Sequence, residues 1–276
     1  MKRLPLPLIA GAILVGLVVL VALLSLVWTP HDPDQVVIPV RFQGPSSAYL
    51  LGTDQFGRDE LSRIMAGARN TLLVGIVTIV IAIAVGVPVG ALAALYRGPL
   101  EEVFMRGSDV LLAFPAILLA LLFAAVYRPS TVTAMAAIGI AFVPVFARVV
   151  RGAGLQVMEM DYVTAARTFG SRGWWILVQH LLPNVANVLI VQATIAFAVA
   201  ILAEAALSYL GIGTPPPTAS WGRMLSDSQD YLYQSPLLAL WPGLAIALSV
   251  LGFNLLGDGL RDLLDPKLVV RAPAQA

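Results

Sequence analysis

Long apolar runs separated by short polar stretches dominate this chain, and the runs have the length of membrane helices. A spanning helix needs about 20 mostly apolar residues. Six segments meet that requirement: Leu6–Val27, Leu72–Tyr96, Val103–Tyr127, Thr131–Val150, Val185–Ile212 and Leu237–Gly257. The first comes after Lys2 and Arg3 as a signal peptide would. Its apolar run exceeds the usual h-region of about 7–15 residues, and no Ala-x-Ala-like site follows at Ser25–Asp32, so it reads as a retained span. The pattern divides the chain into a tail and first span at 1–27, an outer loop at 28–71, and a core of five further spans at 72–276.

Basic residues set the orientation. With the N-terminus inside, the outer segments hold Arg41, Arg58, Arg63, Arg69, Arg128 and Arg223, and the other eleven of the 17 lysines and arginines are inner. That bias places both termini in the cytoplasm. The polar loop at 156–183 then lies on the cytoplasmic side.

Two outer regions carry signals of their own. Trp28–Asn70 leaves the membrane through Trp-Thr-Pro-His-Asp-Pro, a turn-rich exit. Within it Leu61, Ile64, Met65 and Ala68 follow the i, i+3, i+4, i+7 pattern, with Arg63 and Arg69 on other faces and Asp59 spaced to pair with Arg63. This predicts a short amphipathic helix at the outer interface. Gly213–Pro236 opens with Thr-Pro-Pro-Pro-Thr and carries Trp221, Tyr231 and Tyr233 at headgroup level.

Composition narrows the function classes. Hydrophobic residues make up 59% and charged residues 12%, against about a quarter charged in soluble domains. The net charge of +1 carries no signal for nucleic acid. Without cysteine there is no thiolate metal site or cysteine nucleophile. The only lysines, Lys2 and Lys267, lie in no phosphate-binding Gly-x-x-x-x-Gly-Lys-Ser/Thr loop, so the chain cannot hydrolyse ATP by that route alone. His31 and His180 stand far apart, which argues against a histidine metal centre. Transport, conduction or scaffolding remains.

The richest segment is Asp161–Asn184. Asp161 suits the N-cap of a helix, which puts Thr164 at its third position. Ala165 and Ala166 give a smooth helical face. Gly170 fits the left-handed residue past a helix end. Ser171 can cap a second helix, Trp174 and Trp175 meet the membrane surface, and Pro183 is expected to stop that helix. The construction is that of a stiff lever between two spans, although a surface hairpin without a partner would look similar.

Within the spans, Glu204 is the only acidic residue set deep in an apolar run. A charge at helix centre costs about 2.5–3.5 kcal/mol on insertion scales, so it should face protein or water. It shares a face with Ala200 and Ser208, while Gln192 and Thr194 approach that face only roughly. Glu204, Ser208 and Gln192 are therefore candidates for a polar translocation path; a carboxyl bonded to a neighbouring helix is the plainer alternative. Asp109 is spaced to pair with Arg106, Gly86-Val-Pro-Val-Gly90 suits close helix packing, and Arg148 and Arg151 are placed to snorkel to headgroups.

The segment resembles the Glu-Ala-Ala-x-x-x-Gly-x9-Ile-x-Leu-Pro loop of ABC importer permeases. Ala165, Ala166, Gly170, Leu182 and Pro183 match; Thr164 replaces the Glu and His180 the Ile. Further stretches resemble the dipeptide, oligopeptide and nickel permeases, in family order. These are Leu51–Asp59 with Leu61-Ser62-Arg63, Glu204–Gly213, Pro217–Gly222 and Asn254–Asp262. The resemblance covers most of residues 50–266 and implies the C-type partner of a permease pair: an all-α membrane protein with the type I importer fold, six transmembrane helices and both termini cytoplasmic. It also implies a bacterial or archaeal cytoplasmic (inner) membrane, a second homologous permease, two ABC ATPase subunits and an extracytoplasmic substrate-binding protein. ATP and magnesium would be bound by the ATPases and no cofactor by this chain. The coupling contact would carry over to Asp161, Tyr162, Thr164, Ala165, Ala166, Arg167, Phe169 and Gly170. The rival expectation is a self-contained secondary transporter or channel using Glu204, which would call for ion-coupling residues or paired broken helices.

Overall fold

The structure, a computed structural model, describes residues 4–264. Lys2, Arg3, Lys267 and Arg271, four of the eleven inner basic residues, lie outside that range. The helices are α1 (Leu6–Leu24), α2 (Glu60–Leu95), α3 (Pro99–Ala113), α4 (Ala116–Tyr127), α5 (Thr131–Met158), α6 (Asp161–Thr168), α7 (Gly173–Ile176), α8 (Leu182–Tyr209), α9 (Trp221–Ser228) and α10 (Leu237–Leu264). Five are long and apolar enough to cross a membrane, α7 and α8 counting as one through a π-helical turn at Leu177–Leu181; the bent pair α3–α4 makes a sixth. An even number of crossings returns both ends of the described chain to one side.

The centre of the bundle is α2 against α5. Gly86 and Gly90 let the two backbones approach: a Cβ on Gly86 would lie 2.8 Å from Phe146 Cβ, and one on Gly90 2.9 Å from Val150 Cβ. The expected small-residue packing is what these positions do, with Pro88 inside the same helix. At the inner end Val87, Ala91, Val150, Val157, Val163, Leu181 and Val185 form one core that joins α2, α5, α6 and α8. At the outer end Ala22, Leu72, Ile201, Trp221, Ile246 and Phe253 join α1, α2, α8, α9 and α10.

Several expectations need correction. The amphipathic outer helix is no separate element but the first part of the 36-residue α2. Arg63 is 2% exposed there, with Nη1 3.6 Å from Asp34 and Nε 3.8 Å from Asp54. Asp59 does not pair with it; its carboxylate caps α2, accepting from Ser62 N at 3.0 Å. The third span is also not straight, since α3 and α4 meet at 85°. Pro115 forces Phe114 into extended backbone (φ −86°, ψ 124°) and ends α3 there. Finally, Asp109 pairs with Arg148 of α5 rather than Arg106, and Arg106 takes Glu102 at 2.5 Å. Arg151 pairs with Glu101, so both inner arginines of α5 fasten α3 instead of reaching headgroups.

Candidate functional site

The segment expected to act as the cytoplasmic lever forms α6. It begins one residue earlier than the sequence suggests: Met160 is the N-cap, without a side-chain bond, and Asp161 is the first helical residue. Its carboxylate still lies in the first turn, where it favours the helix dipole, and Arg167 sits in the last. The shift makes Thr164 the fourth helical residue, too far along for a capping box. Its hydroxyl instead donates to Met160 O at 3.5 Å.

The C-terminus follows the expectation for Gly170, at φ +82°. Ser171 N donates to Ala166 O at 3.0 Å and Gly170 N to Arg167 O at 2.9 Å, the paired bonds of a Schellman end. Ser171 does not cap α7; Arg172 holds that position, without a side-chain bond. Nor does Pro183 stop the second helix. The π turn at Leu177–Leu181 widens the backbone ahead of it, and the chain runs on into α8.

One side chain of α6, Val163, is fully buried, in the inner core. Asp161, Tyr162, Thr164, Ala165, Arg167, Phe169 and Gly170 are exposed and Ala166 is half-buried. Phe169 stands 90% exposed. Tyr162 tilts against the His180 ring, centroids 5.5 Å apart, so the residue that replaces the family's Ile supports the lever. The arrangement presents one short helix outward, pinned from behind to α2, α5 and α8.

The intramembrane candidates divide. Glu204 is 1% exposed. Ser208 Oγ donates to it at 2.7 Å and Thr71 Oγ1 at 3.5 Å, and the Ser220 and Thr214 hydroxyls also face it. Ser208 Oγ in turn accepts from Thr214 N at 3.0 Å, and Thr214 Oγ1 from Asn70 at 2.8 Å. The carboxyl thus gathers α2, α8 and the α8–α9 loop into one polar knot. Gln192, three turns toward the inner side, is half-buried and outside it.

An outer ionic cluster escaped the sequence reading. Asp54 accepts from Arg58 Nε at 2.6 Å, Arg58 approaches Asp227 at 3.9 Å, and Asp227 lies 2.8 Å from Arg223. The Asp54–Arg58 spacing was a signal; its link to Asp227, far along the chain, was not.

Comparison with known proteins agrees with this architecture. Residues 86–270 match the family described as binding-protein-dependent transport system inner membrane component. The chain is 41% identical over 260 residues to the dipeptide transport system permease protein DppC of Alkalihalophilus pseudofirmus, covering 94% of this chain and 86% of that one. It is 40% identical over 262 residues to the glutathione transport system permease protein GsiD of Pectobacterium atrosepticum, covering 93% and 87%. The fold is similar to a chain of the inward-facing methionine ABC transporter MetNI, with a TM-score of 0.59 and 20% identity over 71% of this chain and 93% of that one. Matching family residues, relatives along nearly its whole length and a shared helical fold place this chain among the multi-pass inner-membrane permeases of binding-protein-dependent ABC importers.

Proposed function

We propose that this permease forms, with a second homologous permease, the pathway of an importer for di- or oligopeptides or related small solutes. Two ATPase subunits dock beneath on Asp161–Gly170 and bind the ATP and magnesium; this chain itself catalyses nothing. An external binding protein docks on the outer loops, around Asp54–Arg69 and Gly213–Pro236. ATP-driven closure of the ATPases moves the paired levers together and opens the pathway outward; hydrolysis resets it. The exposed α6, pinned through Val163 to the core of the spanning helices, is the observation that carries this reading. Relatives named for dipeptide and glutathione transport support the cargo class.

Gln192 is the pathway candidate whose amide is left outside the knot, and we assign it to the pathway wall. Glu204 and Ser208 act on the pathway by holding the outer end of α8 to α2. A secondary transporter would need Glu204 free to exchange an ion, whereas its oxygens already face hydroxyl donors.

Affinity purification of the tagged chain from its native membrane tests the reading. A second permease, one or two P-loop ATPases and a binding protein should co-elute. A homo-oligomer without ATPase, under detergent that preserves a control ABC complex, would sink it.

Thr164 bears on the ATPase contact. Restoring the family's acid with Thr164→Glu should change ATP-driven uptake by less than about fivefold, because exposed charge pairs contribute only about 0–1 kcal/mol. Uptake measured in proteoliposomes checks this, and a severe loss would mean that the hydroxyl itself is required.

A further inference from the structure

A cavity of about 230 Å³ opens at the outer face between the end of α1, the outer half of α2 and the α8–α9 loop. Ser25, Thr29, Asp34, Ala66, Arg69 and Thr218 line it. Drug-sized ligands occupy roughly 300–1,000 Å³, so this one suits something smaller.

Its chemistry is polarised. The Ser25 hydroxyl donates to Ala22 O at 2.7 Å and the Thr29 hydroxyl to His31 O at 2.7 Å. With their protons committed, both offer only lone pairs to the cavity. Asp34 adds a carboxylate beside them, and it shares Arg63 with Asp54 rather than neutralising it alone. That end accepts. Arg69 is exposed and forms no ion pair among the described residues, so the other end donates and is positive.

Asp34 and Arg69 line the same cavity from different segments, so an accepting end and a positive end face one space.

We infer that this cavity binds a compact zwitterion, its ammonium toward Asp34, Ser25 and Thr29 and its anionic group at Arg69. A free dipeptide carries that pair, and so does the ethanolamine headgroup of a lipid at the end of α1. Treating the ligand as cargo rests on the importer reading, whereas the pocket chemistry stands without it.

The test uses the permease–ATPase assembly isolated through this chain and washed free of its external binding protein, in nanodiscs of phosphatidylglycerol with or without phosphatidylethanolamine. Titration with L-alanyl-L-alanine should saturate, weaken at least about tenfold in Arg69→Gln, and vanish in Thr218→Trp, which fills the cavity from an exposed position. The same dipeptide with acetylated and amidated ends should not bind. Phosphatidylethanolamine retained by the parent and lost by Arg69→Gln in native mass spectrometry, without dipeptide binding, assigns the zwitterion to the headgroup. Binding of neither probe, or dipeptide binding untouched by both variants, overturns the inference. If no ATPase co-purifies and Arg69-dependent binding persists, the importer reading fails and the pocket does not.

Discussion

Replacing Phe169 with alanine is expected to lower ATP-driven uptake roughly thirtyfold while leaving the chain folded. The ring is 90% exposed and rests on no core, so its loss removes nothing from the folded chain. Burying a phenylalanine is worth about 1.5–3 kcal/mol, and an aromatic anchor at the centre of a small interface carries much of its energy. The Schellman end at Gly170 fixes the backbone beside it, so the ring leaves the helix end from a defined point. Uptake, together with the amount of ATPase co-purifying with the variant, reads the effect; Phe169→Tyr should retain most of both. Normal uptake and normal ATPase recovery in Phe169→Ala would show that the contact lies elsewhere on α6.

The second large effect is on stability. In Glu204→Ala the Ser208 hydroxyl and its neighbours lose their shared acceptor at a fully buried site. Each orphaned buried group costs about 1–3 kcal/mol, so two or three of them should lower the melting midpoint by on the order of 10 °C. The defect should be independent of cargo charge, because the carboxyl faces hydroxyls of α2, α8 and the loop after α8 rather than an open path. Glu204→Gln, which keeps the shape and one acceptor, should fall between. Melting followed by size-exclusion fluorescence decides this. An alanine variant as stable as the parent, but defective only for cationic cargo, would return the carboxyl to the translocation path.

Much of this was legible in the chain. The apolar runs located the spans, Gly170 announced the end of the lever, and Gly86 and Gly90 announced a close helix crossing. The features that were missed obey physical rules that a local reading cannot weigh. Pro183 looks like a stop, but a π turn absorbs its missing N–H. Phe114-Pro115 looks tolerable inside an apolar run, yet the residue before proline left helical geometry and the span bent. Arg63 looks like a surface residue by spacing. It is buried because Asp34 and Asp54, from segments with no periodic signal, converge on it. Glu204 was recognisable as a residue needing company; which company depended on Thr71 and Thr214, 133 residues before it and ten after.

The length of α2 has a mechanical meaning. Its 36 residues make a rod about 54 Å long, against a hydrocarbon layer of about 30 Å. Its outer tip is clamped by the Asp54–Arg58–Arg63 charges and its inner half by the core that holds the lever. A tilt of about 5° around the bilayer midplane would swing the outer tip by roughly 2 Å. A protein seated on the outer loops would then register the nucleotide cycle as displacement of its berth, with the berth itself unchanged in shape.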